Sequence, residues 1–421
     1  MKLKDYPIVK RLFGVNCPLV AFWFPWYWSN SDTTILRKVA GRWLWQIEPG
    51  LKQRFILVVK TILWPLVALA SIILSTFTHG KVARNISGRS RFSMFLEQLY
   101  FTLWRGFPPI AYYVQRIYLH ELFAVVDDFI PGYQISLLNL AMSAGKDAEI
   151  LNNKLRFGRE CVKLGLPAIP IVGVFENGKM TEPDEISSLL RTDLYFKPVN
   201  GLRGGGIERW NYNKDKDTWN FGDKVKDEAA LKSHFQKLSE KETYILQEAA
   251  VNHENLESFS AGGLTTFRVV TILGEGREPK VLICYLVTPF GKTVTNHNLY
   301  GGIWVQLNLE TERFDHAFRG LPELQKLTHH PETGARLEGR QFTDWPKLKA
   351  LALRAHKCFP EIFTIGWDLA LTGNGPEIVE GNSQWGSNPG DFAGKTGYAS
   401  LYLETLYKAK KNGDALGDLL K

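Results

Sequence analysis

Hydrophobic and polar positions alternate along this chain with two different periods, and the changes between them map its parts. From 92 to 120 the apolar residues recur at helical spacing (Phe92, Phe95, Leu96, Leu99, Leu103) until Pro108-Pro109 interrupts them, which predicts two helices. Residues 157–164 predict another short helix closed by Gly165-Leu166-Pro167, and 169–175 then alternates into a strand before an Asn177-Gly178 turn. The polar stretch 211–227 predicts an exposed hairpin or loop with no binding role, and 348–358 an amphipathic helix. Directly after it, 365–371 and 377–379 are apolar and β-prone, with Thr372-Gly373-Asn374-Gly375-Pro376 as turn chemistry between them. Helices alternating with mostly antiparallel strands predict an α+β architecture of two lobes.

The last hairpin carries the most chemistry. Reflection about Asn374 pairs Asp368 with Glu380, and period-two alternation turns Glu380 and Asn382 to one side. Two carboxylates and an amide oxygen suit Mg²⁺, which takes one or two carboxylates plus substrate phosphates. An exposed hairpin edge whose acids are merely solvated fits the same segment. Upstream, 193–207 predicts a short strand carrying Lys197, followed by the glycines Gly204-Gly205-Gly206. Glycines let backbone N–H groups close on phosphate oxygens, and the lysine adds a point charge. The Lys precedes the glycines and no Lys-Ser/Thr pair follows, so this is not a Walker loop. The strand at 244–248 ends in Gln247-Glu248, a polar pair of the kind that lines an adenine pocket.

The order Lys-Pro and glycine loop, strand-Gln-Glu, Thr266-Phe267-Arg268-Val269-Val270-Thr271, Asp368, then Glu380-Gly381-Asn382 resembles the ATP-grasp superfamily. It looks most like the sugar-transfer-associated branch. Asn296 followed by Gly301-Gly302-Ile303, and His330-Pro331-Glu332-Thr333-Gly334 followed by Gly339 and Trp345-Pro346, also fit that branch. The resemblance runs over about 91–409. It implies a two-lobed ATP-grasp fold with nucleotide between the lobes, ATP, and Mg²⁺ as two ions. Residue by residue it implies Lys154 and Lys197 on the phosphates, Gly204, Gly205 and Gly206 as the lid, and Gln247, Glu248 and Val251 as the adenine hinge. His253 falls on the ribose side, where a surface histidine after a strand fits equally. Asp368, Glu380 and Asn382 become metal ligands, and Arg268 faces the transferred phosphoryl group. Asn296, Gly301 and Gly302 border an acceptor pocket, as does the stretch 384–391.

The activity so implied is a carboxylate–amine ligase working through an acyl phosphate, attaching an amino acid or related group to a cell-surface polysaccharide or lipid-linked sugar precursor. A phosphotransferase acting on a hydroxyl, and an idle nucleotide-binding scaffold, are the other readings. No Ser-His-Asp or Cys-His arrangement is recognisable by spacing, and His329-His330 lacks the spaced partners of a metal site.

Composition changes the picture at one end. The chain has 421 residues, 45% of them hydrophobic, enough for two or three domains. Its four cysteines, Cys17, Cys161, Cys284 and Cys358, are scattered, which argues against a disulfide framework and suits a reducing cytosol. Residues 1–92 hold 14 Lys and Arg against 3 Asp and Glu, a surplus of +11 against the chain's +8, so the remainder carries −3. That same region holds an aromatic block, Cys17 to Trp28, and an eighteen-residue stretch without charge, Thr61 to Thr78. Basic and aromatic-apolar segments together favour a membrane surface over nucleic acid. A span needs roughly 20 apolar residues; Lys60 and Pro65 weaken that case, and Lys and Arg flank both sides. The expectation is attachment to the cytosolic face of a membrane by an interfacial or re-entrant helix, with a single span and a buried soluble helix as the other arrangements. The expected division is a membrane-associating region 1–90, a helical lead-in 91–150, lobes 151–250 and 251–410, and a tail 411–421.

Overall fold

A computed structural model of the chain describes residues 25–47, 50–130, 132–143, 149–182, 189–200, 205–260, 262–290, 302–320, 325–383, 385 and 398–420. Its centre is a pair of seven-stranded antiparallel sheets. The first comprises β1 (Ile171–Glu176), β2 (Lys179–Glu182), β3 (Leu194–Pro198), β4 (Glu208–Asn213), β5 (Thr218–Phe221), β6 (Lys224–Lys226) and β7 (Tyr244–Glu248), in the order β2-β1-β7-β3-β4-β5-β6. The second comprises β8 (Thr266–Leu273), β9 (Pro279–Thr288), β10 (Ile303–Leu307), β11 (Phe314–Arg319), β12 (Gln325–Leu327), β13 (Thr364–Thr372) and β14 (Gly375–Asn382), in the order β12-β11-β10-β9-β8-β13-β14.

The first sheet is closed by the helix Glu228–Leu238, whose N-cap Asp227 accepts the Ala230 N–H. Its Leu231 and Phe235 pack on Phe175, Phe196, Trp210 and Trp219, and the Phe196 ring lies stacked against Phe235 at 4.1 Å and Tyr244 at 4.5 Å. The polar stretch expected as an exposed hairpin or loop does form antiparallel strands, but it is not wholly exposed. Trp219 of β5 is fully buried and donates its indole N–H to the Thr192 carbonyl. One inward residue per short strand leaves no period to detect.

The central strands β8 and β13 of the second sheet are buried on both faces, so they read as nearly unbroken apolar runs. Phe267, Val269, Trp367 and Leu369 pack on the helix Trp345–Lys357. Val270, Ile272 and Tyr285 join a separate core with the helices Asp32–Ile47, Gly132–Met142 and Ala399–Lys411. The lobes meet beside β14: Ile169 N–H donates to the Ile378 carbonyl, Ile378 N–H to Pro167, and His253 N–H to Leu371.

Ahead of the sheets, the apolar stretch 61–78 lies within one helix, Leu51–Ser87, which is 37 residues long, contains Pro65, and ends at Gly88 in the left-handed region, φ 72°. The helices Arg91–Leu103 and Pro109–Val114 follow, broken at the proline pair as expected. On the long helix Leu57, Thr61, Trp64, Ala68, Ile72 and Ser75 face the protein at three- and four-residue spacing, whereas Ile62, Leu66, Leu69 and Ile73 face outward. By length and composition residues 54–87 could cross a membrane, and only 28% of their most apolar window is buried. Most of that window is therefore not buried among the described residues.

Candidate functional site

The β8 strand carries one charged residue, Arg268, and β13 carries one, Asp368. Register makes them neighbours: Arg268 lies opposite Asp368, and Asp368 opposite Glu380 on β14. The result is a row of three charged side chains across three strands. Arg268 donates to both oxygens of Asp368, Nε to Oδ1 at 2.5 Å and Nη2 to Oδ2 at 2.9 Å.

The pairing of Asp368 with Glu380 is the one reflection about Asn374 predicts, but the chain reaches it differently. Near the turn, Thr372 pairs with Gly375 and Leu369 with Ile378, so the hairpin turns on Gly373-Asn374 with Gly375 at φ 99°. That register alone would set Asp368 opposite Val379 and send Glu380 to the other face. An irregularity between Asp368 and Leu369 absorbs one residue of β14 and returns Glu380 to the side of Asp368. Gly381, between Glu380 and Asn382, faces the core, where a Cβ would stand 3.1 Å from Trp367 and 3.2 Å from Leu151. Asn382 donates its amide to Glu380 Oε1 at 3.3 Å and to the Gly366 carbonyl at 3.4 Å, which leaves its amide oxygen for other partners.

Lys197 enters from the first sheet. Its Nζ donates to Gln247 Oε1 at 2.9 Å and stands 4.9 Å from the Tyr195 ring centre. Gln247 is buried and spends its own N–H on the Ile169 carbonyl at 2.9 Å, so it aims the lysine. Tyr195 escaped sequence reasoning, although its i, i+2 relation to Lys197 on one strand was the available signal. Burial pulls the Lys197 ammonium down to about 8, with Glu380 opposing that and Lys154 adding to it. Lys154, at the start of the helix Lys154–Lys163 behind the Asn153 cap, is close enough to act on both Lys197 and Glu380.

Burial and the adjoining Glu380 carboxylate push Asp368 up to about 7, against the pull of Arg268. Burial also opposes the charged form of Glu380, and contacts from Asp368, Lys154, Arg268 and Asn382 outweigh it, holding Glu380 below the ordinary range. Two carboxyls forced together in this way are what a divalent cation relieves, so the donor set fits Mg²⁺. Among the described residues there is no cluster of three or more His, Cys, Asp or Glu; the remaining ligands would have to be amide, water and phosphate oxygens.

The other expected residues spread around this centre. Glu248 ends β7 exposed, opposite Leu194, and Val251 is exposed. His253 caps the short helix Glu254–Glu257, its Nδ1 accepting the Asn255 N–H. Gly205 and Gly206 form the turn leading into β4, and Gly302 is buried just before β10. Gly204, Asn296 and Gly301 lie outside the described residues, as does 384–391 apart from Trp385.

Two antiparallel sheets joined beside a lysine pair, an arginine and a carboxylate pair form the ATP-grasp architecture. Its sequence places the chain more narrowly: it belongs to the sugar-transfer associated ATP-grasp family, whose profile matches residues 136–405. The helices before residue 136 lie outside that match. No curated protein matches the sequence. Among solved structures it is similar to an L-amino acid ligase from Bacillus licheniformis (13% identity, 56% of this chain and 41% of that one, TM-score 0.32). It is also similar to the D-alanine–D-alanine ligase of Bacillus anthracis (13%, 65% and 71%, 0.35) and to the ADP complex of N5-carboxyaminoimidazole synthetase from Staphylococcus aureus (11%, 66% and 58%, 0.36). The chain thus spans less than two thirds of the length of the first and third.

Proposed function

We propose that the protein is an ATP-dependent carboxylate–amine ligase acting at the cytosolic face of a membrane, and that it joins an amino acid or related group to a sugar or lipid-linked precursor of a cell-surface polysaccharide. The observation that carries the reading is the row Arg268–Asp368–Glu380, with Lys197 facing it from the first sheet and Lys154 at the start of a helix packed beside β14. Three cations, Arg268, Lys197 and Lys154, against the two carboxyls leave a positive site, suited to a triphosphate.

In this reading Lys197 and Lys154 bind phosphate oxygens. Lys197 is still mainly protonated at neutral pH, and bound phosphate would favour its charged form further. Gly204, Gly205 and Gly206 close over the phosphates, and Gln247, Glu248 and Val251 border the adenine, with His253 toward the ribose. Asp368, Glu380 and Asn382 would hold Mg²⁺, as two ions, which supplies charge neutralisation on the phosphates. An oxygen of the substrate carboxylate attacks the γ-phosphorus in line; the new P–O bond forms as the bond to the β-phosphate oxygen breaks and ADP leaves. Arg268 stabilises charge on the transferring group. The amine then attacks the acyl carbon, the C–N bond forms, phosphate departs, and the amine proton passes to solvent. Residues Asn296, Gly301 and Gly302 border the acceptor.

The test is ADP and phosphate release from purified protein with Mg²⁺ and ATP against pooled amino acids and lipid-linked glycans, with hydroxylamine in parallel. Hydroxylamine traps acyl phosphates, so ADP release with hydroxamate is the expected result. ADP release with phosphate retained on the acceptor and no hydroxamate would make the protein a kinase instead.

A further inference from the structure

The helix Leu51–Ser87 shows the solvent a face that is apolar along most of its length. Phe55 is 68% exposed, Leu66 68% and Phe77 78%, with Ile62, Leu69 and Ile73 between them. No charge interrupts residues 61–78. Charges stand toward the two ends instead, Lys52, Arg54 and Lys60 at one and Lys81 and Arg84 at the other. The next helix adds a second exposed row at four-residue spacing, Phe92, Leu96 and Tyr100, followed by Trp104. Aromatics such as Tyr100, Trp104 and Trp45 favour the headgroup level of a bilayer.

The opposite face of the helix is held to the protein along its length. Leu57 joins the core on the outer side of the second sheet, Trp64 and Ala68 pack with Tyr27 and Leu103, and Ala83 packs with Met94 and Tyr113. Halfway between these last two anchors, Ser75 donates to Gln98 Oε1 at 2.7 Å, and Gln98 donates to Thr76 at 2.7 Å and Tyr113 at 3.1 Å. Beside them Arg89 is paired with Glu97, which also accepts the Tyr112 hydroxyl. A helix crossing the bilayer would carry this layer, the ionised Arg89–Glu97 pair included, and the segments anchored along the helix toward hydrocarbon, where charged side chains are costly even when paired. A second copy on the same face would bring one basic end against another.

We propose that the outward face of Leu51–Ser87 lies in the plane of an anionic bilayer leaflet, apolar side down, with both basic ends on the cytosolic side, and that the helix does not cross. This rests on the membrane reading above and specifies it. It is independent of which reaction the site performs.

Two measurements separate the alternatives. Full-length protein should sediment with phosphatidylcholine vesicles containing phosphatidylglycerol at least about tenfold better than with phosphatidylcholine alone. Leu66→Glu with Ile73→Glu, on the outward face, should remove binding by a similar factor with ATP turnover unchanged. In cells, Lys52→Cys and Lys81→Cys, each with Cys17 and Cys358 replaced by Ser, should both react with an impermeant maleimide in inverted vesicles and neither in intact spheroplasts. Labelling from opposite sides would overturn the in-plane arrangement alone. Failure of the parent protein to sediment with either vesicle would overturn the membrane reading itself. A concentration-dependent dimer abolished by the double Glu variant would give the face to a second copy.

Discussion

The charged row in the second sheet and the long N-terminal helix break the usual partition of residues in opposite directions. Arg268 and Asp368 put the sole charges into the otherwise uncharged strands β8 and β13, with Glu380 beside them on β14, while the helix puts Phe, Leu and Ile against water. Either choice costs free energy that ordinary packing would not. The difference between them is in how the cost is met. The row satisfies itself, arginine to carboxylate, and stands ready inside the fold. The helix face has no covering partner among the described residues.

The sharpest way to break this contrast is to remove one member of the row. Asp368→Ala is expected to lower ATP turnover by about 10³-fold with the circular dichroism spectrum preserved; near-normal turnover would make the row structural. Next in size, the two faces of the helix should respond differently to truncation. Trp64→Ala should cost about 3 kcal/mol in chemical denaturation, and Leu63→Ala, a neighbour on the exposed side, within about 0.5 kcal/mol. Equal losses would mean the outward face is covered in solution.

A buried polar group with no catalytic task gives a control for the row. His356 is fully buried, accepts the Thr271 hydroxyl at 2.7 Å on Nδ1 and donates from Nε2 to the Ile362 carbonyl at 2.9 Å. Burial pulls it down to about 4. The unfolded imidazole gains its proton first on acidification. Its contribution is therefore fully present above about pH 6.5 and is lost as pH falls toward 4, by about 3 kcal/mol in all. The stability difference between wild type and His356→Asn across that range reads it, and a pH-independent difference would mean the ring is already charged. Smaller again, Lys197→Met should weaken ATP binding by about 10- to 100-fold in calorimetry and cost only about 1 kcal/mol of stability through the orphaned Gln247 oxygen. A protein unfolded by that change would make Lys197 a structural residue.

Much of the architecture could be read along the chain. The helix at 345–357 and the strands on either side of Thr372 announce themselves because a side chain's neighbours within one element are set by a fixed period. Turn residues Asn177-Gly178 and Gly373-Asn374 are legible for the same local reason. In the 208–226 meander a hairpin could be expected but its burial could not, since one buried Trp on each of β4 and β5 makes no pattern.

By itself the sequence determined the elements, the family motifs and the candidate chemistry of Lys197, Arg268, Asp368 and Glu380, because all of these are properties of residues near one another in the chain. Only the tertiary structure decided that Arg268 pairs with Asp368 a hundred positions away, that an irregularity in β14 turns Glu380 to meet it, and that Gln247 aims Lys197. It alone decided which side of Leu51–Ser87 faces the protein. Pairing between distant strands depends on register that no local period encodes, and a helix apolar all round carries no periodic signal to say which way it turns.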